Sequence, residues 1–354
     1  MMTDRPVLSL CIPTFNRIKV LLPDVRRYLS LPDRRFELCI TDNLSKDGTV
    51  EALSALKDER LSLYVNVSNI GPVRNGMAAL SKAQGEYIFF LIDKDTVDEQ
   101  RLSHFIDYLV REKPCFGFIE LNSRPEEDFV EVIQPGLGAV LRAGFLGKHP
   151  SGYFWRSDLF RQAAGMPIVD SAAKETDFPF DMVAGFLAVE HPASIVHLPL
   201  VINANLRPVP QEYSQSFTYH GESKFFCSAE NRLKTFRYYL TATMQLNLSR
   251  KDMEKIDLKL TNRVINQVTV SLRKLLLSPS VCEHYMLKSR KVSIGEMFSN
   301  LANVWKVRKE VTRSYHAVGI IRSDIFFAFA KGIIRIFEQI LIEPFDSSKL
   351  ELGV

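Results

Sequence analysis

Gly85-Glu-Tyr-Ile-Phe-Phe-Leu-Ile-Asp-Lys-Asp95 is the stretch on which the fold turns. Tyr87 to Ile92 is a continuous apolar run with no polar alternation. A strand of this kind is buried on both faces, as in a parallel sheet covered by helices. It stops at Asp93-Lys94-Asp95. Two carboxylates one residue apart at the end of a buried strand can share a hard divalent cation, because Mg2+ and Mn2+ prefer oxygen donors and leave room for substrate phosphates. The plainer alternative is that Asp95 or Asp98 caps the helix that follows.

Working outward, the pattern repeats. Val7 to Ile12 reads as a strand closed by Pro13, and residues 18–31 place Val20, Leu21, Val25, Tyr28 and Leu29 at helical spacing before Pro32. Phe36 to Ile40 is a second strand, ending in Thr41-Asp42-Asn43, and a helix begins after Asp47-Gly48-Thr49. Leu61 to Val67 alternates like a strand, Gly71 to Ala83 reads as a helix, and another helix spans Glu99 to Arg111. Alternating strands and helices predict an α/β fold, Rossmann-like, with a mostly parallel sheet and helices on both faces. Ligands of such sheets bind beyond the carboxyl ends of the strands. The polar clusters Thr14-Phe15-Asn16-Arg17, Asp42, Asn69 and Asp93/Asp95 all fall there.

Residues 115–220 are less regular. Residues 136–140 and 148–153 read as loops, Asp177-Phe-Pro-Phe-Asp181 opens a helix reaching about Val189, and Ile195 to Pro199 reads as a final strand. The 354 residues carry a net charge of only +4, but residues 1–221 sum to −5 and residues 222–354 to +9. That contrast sets the expected boundary: a catalytic domain over 1–221 and a basic α-helical region over 222–354.

Composition excludes several classes. At 46% hydrophobic and 24% charged, the chain is neither disordered nor a coiled coil. The N-terminus lacks the pattern of a secretory signal, and no run of about 18 apolar residues predicts a membrane span. Five scattered cysteines without Cys-x-x-Cys suit a reducing compartment, so a cytoplasmic protein is expected.

Four ordered segments resemble family-2 glycosyltransferases of the GT-A fold. Leu8-Ser-Leu-Cys-Ile-Pro-Thr-Phe-Asn-Arg17 is similar to their opening strand, and Ile40-Thr-Asp-Asn43 with Asp47-Gly48-Thr49 to their second strand and its turn. Asn69-Ile-Gly-Pro-Val-Arg-Asn-Gly76 resembles their N-x-G-x-x-x-A-x-N-x-G segment, with Arg74 where a small residue is common, and Gly85 to Asp95 resembles their G-x-Y-I-x-x-L-D-x-D strand. The resemblance covers roughly residues 7–100, weakens from 115 to 221 and stops there.

It implies an inverting transfer of a sugar from a nucleotide-diphosphate donor, UDP favoured, to a hydroxyl of a glycan or lipid-linked glycan, as in lipopolysaccharide or capsule assembly. Pro13, Thr14 and Asn16 would line the nucleotide pocket, and Asp42 would accept a hydrogen bond from the base. Arg74 and Asn75 would lie near the ribose or diphosphate, Asp93 would contact the nucleotide sugar, and Asp95 would hold Mg2+ or Mn2+ with His220. Asp181 would be the general base, with Asp177 and Glu175 as fallbacks, although Phe180 replaces the first residue of the usual acidic pair. The plainer reading of Asp181 is a helix cap. Of the other candidates, His149 reads as a turn residue or, as the lesser option, part of an acceptor loop, His197 as a core residue, and Trp155 either as core or as the floor of the acceptor pocket.

In the basic region, Asp324, Lys331, Arg335 and Glu338 fall on one side of a helix that is apolar elsewhere. It is either a core helix covered by its neighbours or an interfacial helix lying in an anionic membrane surface, which would place the protein at the cytoplasmic face of the inner membrane. No aromatic-interleaved basic groove predicts nucleic-acid binding. Two other functions fit the motifs less well: an inactive nucleotide-binding assembly subunit, suggested by Phe180, and a sugar-1-phosphate nucleotidyltransferase, for which no Gly-rich basic loop follows the first strand.

Overall fold

The structure is a computed structural model of the chain, and it describes residues 5–121, 128–176, 179–203, 218–219, 222–223, 228–279, 282, 289–314 and 322–341. The chain divides into two compact units: Met1–Lys174 with Phe178–Ser214, and Glu175–Asp177 with Gln215–Val354.

The first unit opens with β1 (Leu8–Thr14), α1 (Ile18–Ser30), β2 (Phe36–Asp42), α2 (Thr49–Ser54), β3 (Leu61–Val65), α3 (Pro72–Lys82), β4 (Tyr87–Phe90), β5 (Thr96–Val97) and α4 (Glu99–Glu112). It continues through β6 (Phe116–Ile119), β7 (Phe129–Ile133), α5 (Leu137–Ala143), β8 (Tyr153–Arg156), α6 (Ser157–Ala164), α7 (Pro167–Glu175), α8 (Pro179–Glu190), β9 (Ala193–His197) and β10 (Val201–Ile202). Eight strands form one sheet in the order β3-β2-β1-β4-β8-β6-β9-β7. β1, β2, β3 and β4 run parallel, as do β6 and β9, while β8 and β7 are antiparallel to their neighbours. The core lies where the apolar runs of β1, β2 and β4 meet α1 and α4: Leu8, Leu10, Ile12, Val25, Leu38, Ile40, Phe89, Leu102 and Phe105 are all buried.

Gly85 packs directly against Ser9 of β1. A Cβ there would lie 2.5 Å from the Ser9 hydroxyl and 2.8 Å from the Ser9 amide nitrogen. The same hydroxyl donates to buried Glu37, which also accepts from the Gln84 amide, so the polar groups below β1, β2 and β4 are paired.

The middle of the chain corrects three expectations. Residues 137–143 are helical as α5, where the sequence suggested a loop. Gly136 and Gly138 gave that stretch the composition of a loop, and just beyond the helix a Cβ on Gly144 would meet the Gly185 Cα at 2.6 Å, so Gly144 serves close packing against α8. α6 and α7 also fall in the stretch read as irregular. Finally, β9 is not the last strand, since β10 follows it and pairs antiparallel with β5.

The second unit is largely helical: α9 (Ala229–Thr243), α10 (Arg250–Asn266), a π-helical turn at Gln267–Ser271, α11 (Leu272–Leu277), α12 (Ile294–Ser314) and α13 (Arg322–Leu341). Ser228 and Ser249 cap α9 and α10 by accepting from the amides of Asn231 and Asp252. Fully buried Asp257 takes three hydrogen bonds from Arg308 (2.7–3.2 Å) and one from Thr261 (3.0 Å). α13 turns Ala328, Gly332 and Ile336 inward, but Phe327 and Ile334 are 60% and 54% exposed, so it is not the fully covered core helix of the plainer reading. Lys331 and Arg335 are exposed beside them. Among the described residues, no helix is long and apolar enough to cross a membrane.

Candidate functional site

The carboxyl ends of β1, β2 and β4 bring the predicted polar residues to one rim. Thr14 ends β1 and pairs in register with Asp42, which ends β2. β4 leads through Leu91 and Ile92 into a turn closed by a hydrogen bond from the Asp95 amide to the Ile92 carbonyl.

Asp42 is fully buried. Its Oδ2 accepts from the Ser45 amide at 2.8 Å, while Oδ1 has no hydrogen-bond partner among the described residues. A buried carboxylate oxygen left without a donor is costly unless a ligand supplies one. Nearby, Asn16 adopts the left-handed region (φ 53°), which asparagine tolerates well. Its amide donates to the Ser45 hydroxyl (2.8 Å) and its side-chain oxygen accepts from the Lys46 amide (2.7 Å), so the loop after β1 is tied to the loop after β2. Pro13 is half-buried within β1.

Asp93 is 2% exposed and doubly held: Thr14 Oγ1 donates to one oxygen at 2.9 Å and Arg17 Nη1 to the other at 2.7 Å. Asp95, also 2% exposed, receives the Ser151 hydroxyl at 2.6 Å on Oδ2, and His149 Nε2 lies 2.5 Å from that same oxygen. The Asn203 side chain lies 3.3 Å from His149 Nε2. Burial pushes the Lys94 ammonium below its ordinary range, with the negative charge of Asp95 opposing that fall.

Asn75 and Arg74 diverge. Asn75 is buried and donates to the Thr14 and Thr41 carbonyls while accepting from Asn66, so it ties the ends of β1 and β2 together. Arg74 is exposed in the first turn of α3. Asp181 sits in the first turn of α8, 1% exposed, and accepts a hydrogen bond from the Tyr153 hydroxyl. Its neighbour Phe180 packs on Phe90 with ring centroids 4.5 Å apart. Glu175 is exposed at the end of α7, whereas Asp177 and His220 lie outside the described residues.

Three readings of aromatic and histidine residues change. Trp155 is fully buried, stacked on Tyr153 (5.5 Å, 9°) and tilted against Phe160, so it belongs to the core and does not floor a pocket. His197 is only half-buried at the end of β9, stacked on Phe129 at 4.1 Å. His149 is a member of the carboxylate cluster and more than a turn residue.

Ser151 received no role from the sequence, Arg17 only a place in the polar cluster after β1, and His149 only a turn or acceptor-loop reading. Arg17 stands beside Asn16 and was within reach of motif reasoning; His149 and Ser151 contact Asp95 across 54 and 56 residues, which no local pattern signals. A groove of about 790 Å³, lined by residues of α4, β7 and β9 such as Tyr108, Arg111, Phe129 and Ser194, contains none of the site residues.

Residues 9–152 match the model of glycosyl transferase family 2. Abequosyltransferase RfbV of Salmonella typhimurium is 30% identical over 137 residues, 36% of this chain and 40% of that protein. A GalNAc(5)-diNAcBac-PP-undecaprenol beta-1,3-glucosyltransferase of Campylobacter jejuni is 31% identical over 101 residues, 28% of this chain and 33% of that one. The chain thus spans less than half the length of these curated relatives. Among solved structures, S. aureus TarS 1-349 in complex with UDP is 15% identical with a TM-score of 0.59, covering 96% of this chain and 93% of its own, a likeness of fold.

Proposed function

We propose that this chain, whose residues 9–152 are a family-2 glycosyltransferase domain, transfers a sugar with inversion from a nucleotide-diphosphate donor to a hydroxyl of a bacterial glycan or lipid-linked glycan. The observation that carries the reading is the rim where buried Asp42, Asp93 and Asp95 converge at the ends of parallel strands, with one Asp42 oxygen unsatisfied. A carboxylate only accepts hydrogen bonds, so Asp42 selects a base with a ring N–H, as in uracil, thymine or guanine, and disfavours cytosine and adenine. The TarS fragment bound to UDP has the same fold, which supports placing UDP first. Pro13, Thr14 and Asn16 line the base and ribose, and Asn75 holds that wall in shape. Arg74 stands free to reach the diphosphate.

The donor set fits a hard divalent cation. Asp93 and Asp95 are buried oxygen donors, yet among the described residues no group of three or more His, Cys, Asp or Glu side chains is placed to enclose a metal. That suits Mg2+ or Mn2+, which bind through one or two carboxylates and complete their shells with phosphate oxygens and water. Asp95 would hold the ion and Asp93, fixed by Arg17 and Thr14, would orient the sugar nucleotide. A bound cation supplies positive charge to the leaving diphosphate. Asp181 takes the acceptor hydroxyl proton, held in orientation by Tyr153.

An acceptor among surface glycans is supported by two relatives, an abequosyltransferase and a GalNAc(5)-diNAcBac-PP-undecaprenol beta-1,3-glucosyltransferase. In the second unit, exposed Phe327, Ile334, Lys331 and Arg335 on α13 support contact with the anionic cytoplasmic face of the inner membrane, where a lipid-linked acceptor resides.

A thermal-shift screen of UDP, GDP, dTDP, CDP and ADP with and without Mn2+ tests the proposal. A Mn2+-dependent rise in melting temperature for UDP is expected. No shift with any nucleotide would refute it. Phe180, which packs as core where related enzymes carry an acid, favours a second reading as an inactive assembly subunit. Metal-dependent nucleotide binding without transfer or donor hydrolysis across many sugars would select it.

A further inference from the structure

We infer that His149 is a protein ligand of the divalent cation on Asp95, supplying an imidazole nitrogen through Nε2; this rests on the metal-dependent reading above. Two donor atoms bound to one cation at roughly 2.0–2.2 Å lie about 3 Å apart. Nε2 of His149 and Oδ2 of Asp95 are 2.5 Å apart, within the span that one ion bridges after a small adjustment. The pair is also shielded: the Asp95 side chain is fully buried and that of His149 is 16% exposed.

The loop that carries His149 is anchored on both sides, which separates this arrangement from a chance contact of a surface ring. On one side, Lys148 donates to Glu120 at 2.9 Å and lies 3.9 Å above the Phe118 ring. On the other, the Ser151 hydroxyl accepts from the Ile92 amide at 3.0 Å while donating to Asp95, and the Gly152 amide donates to the Phe90 carbonyl at 2.9 Å. Gly147 and Gly152 bracket the segment at positive φ (59° and 101°), the conformation that lets so short a loop double back onto the end of β4. Ser151 therefore acts as the outer partner that orients the carboxylate, an arrangement typical of metal sites. In the hydrogen bond to Asp95 the carboxylate can only accept, so Nε2 carries a proton there; a cation would replace that proton, with the ring keeping its other proton on Nδ1.

The chemistry has a consequence for ion choice. Oxygen donors alone suit Mg2+, while an imidazole beside a carboxylate shifts preference toward Mn2+ and later transition metals. His149 thereby takes the nitrogen-donor role that the family resemblance implied for His220.

Pulsed electron paramagnetic resonance of Mn2+ bound to the full chain in the presence of UDP tests the inference. Nitrogen modulation from a coordinated imidazole is expected in the unaltered protein, altered by 15N-histidine labelling, abolished in His149→Gln and retained in His220→Gln. Mn2+ affinity, measured by the free-ion signal, should fall by at least about tenfold in His149→Gln, since loss of even an outer partner costs that much. Circular dichroism melts check that each variant folds, and the labelled unaltered protein carries the test without any variant. Mn2+ bound with no nitrogen coupling, or with coupling that survives His149→Gln, overturns the assignment of His149 and leaves the metal-dependent reading standing. Failure of the unaltered protein to bind Mn2+ overturns both.

Discussion

Replacing Asp42 by asparagine should invert the base preference of the site. Asp42 Oδ2 accepts from the Ser45 amide at 2.8 Å, and Oδ1 faces no donor among the described residues. Asparagine is isosteric, but its two ends differ. The Ser45 N–H requires an oxygen, so Nδ2 takes the other position and turns an acceptor into a donor. Uracil presents N3–H there and would meet a second donor, whereas the N3 of cytosine is an acceptor and would be matched. A hydrogen bond to a charged group contributes about 1.5–3 kcal/mol, so UDP should bind roughly 10- to 100-fold more weakly. CDP should gain, so the ratio of the two dissociation constants should move by about 100-fold or more. Isothermal titration of both nucleotides with Mn2+ present measures this directly. Because the Ser45 contact survives, the melting temperature of the free protein should change little. Undiminished UDP binding in Asp42→Asn would show that Asp42 does not face the base, and equal loss of UDP and CDP would show that the loop had collapsed instead; either result refutes the reasoning.

Four further outcomes are expected. Asp181→Asn should lower the transfer rate by about 10²–10⁴-fold, the usual worth of a general base, with donor affinity kept; full turnover would remove Asp181 from that role. Arg308→Met strands the fully buried Asp257 carboxylate and should cost the second unit about 3–5 kcal/mol, much of it recovered in Asp257→Leu/Arg308→Met. The chain has two tryptophans, so urea unfolding followed by Trp305 fluorescence in a Trp155→Phe background isolates that unit. Arg35 and Arg60 hydrogen-bond Asp33 and Asp58 and hold both carboxyls below their ordinary range. The unfolded chain then binds more protons than the folded one as acid is added, so stability should be level from pH 7 to 5 and fall below about pH 4, read as the urea midpoint. Lys331→Glu/Arg335→Glu should weaken sedimentation with phosphatidylserine vesicles by about tenfold or more, at roughly 1 kcal/mol per basic residue, without changing binding to neutral vesicles; unchanged binding would argue against α13 as the contact.

What the sequence determined by itself was the first half of the sheet and the rim it presents. Apolar runs without alternation, closed by Pro13, Asp42 and Asp93, mark buried parallel strands because their environment is the same on both faces. The carboxylates follow at once, since a parallel strand must end where its neighbours end. From Phe116 onward the signal fades for physical reasons. β8 is antiparallel and sits between β4 and β6, a position set by pairing with β4 across more than 60 residues and with β6 across more than 30, and not by any local period. α5 is a single short helix preceded by Gly136 and containing Gly138, so its composition resembles a loop. Trp155 was ambiguous because an aromatic ring serves a sugar pocket or a core equally well, and only its neighbours decide. His149 is the clearest case. In the sequence it stands in a Gly147-Lys-His-Pro-Ser-Gly152 context typical of a turn, and only the loop that folds Ser151 back onto Asp95 brings its ring to the carboxylate. The sequence determines which strands carry acids to the rim, because that depends on local hydrophobic pattern. The tertiary structure decides which distant side chains complete the site, because that depends on loop closure and packing between segments that share no local pattern.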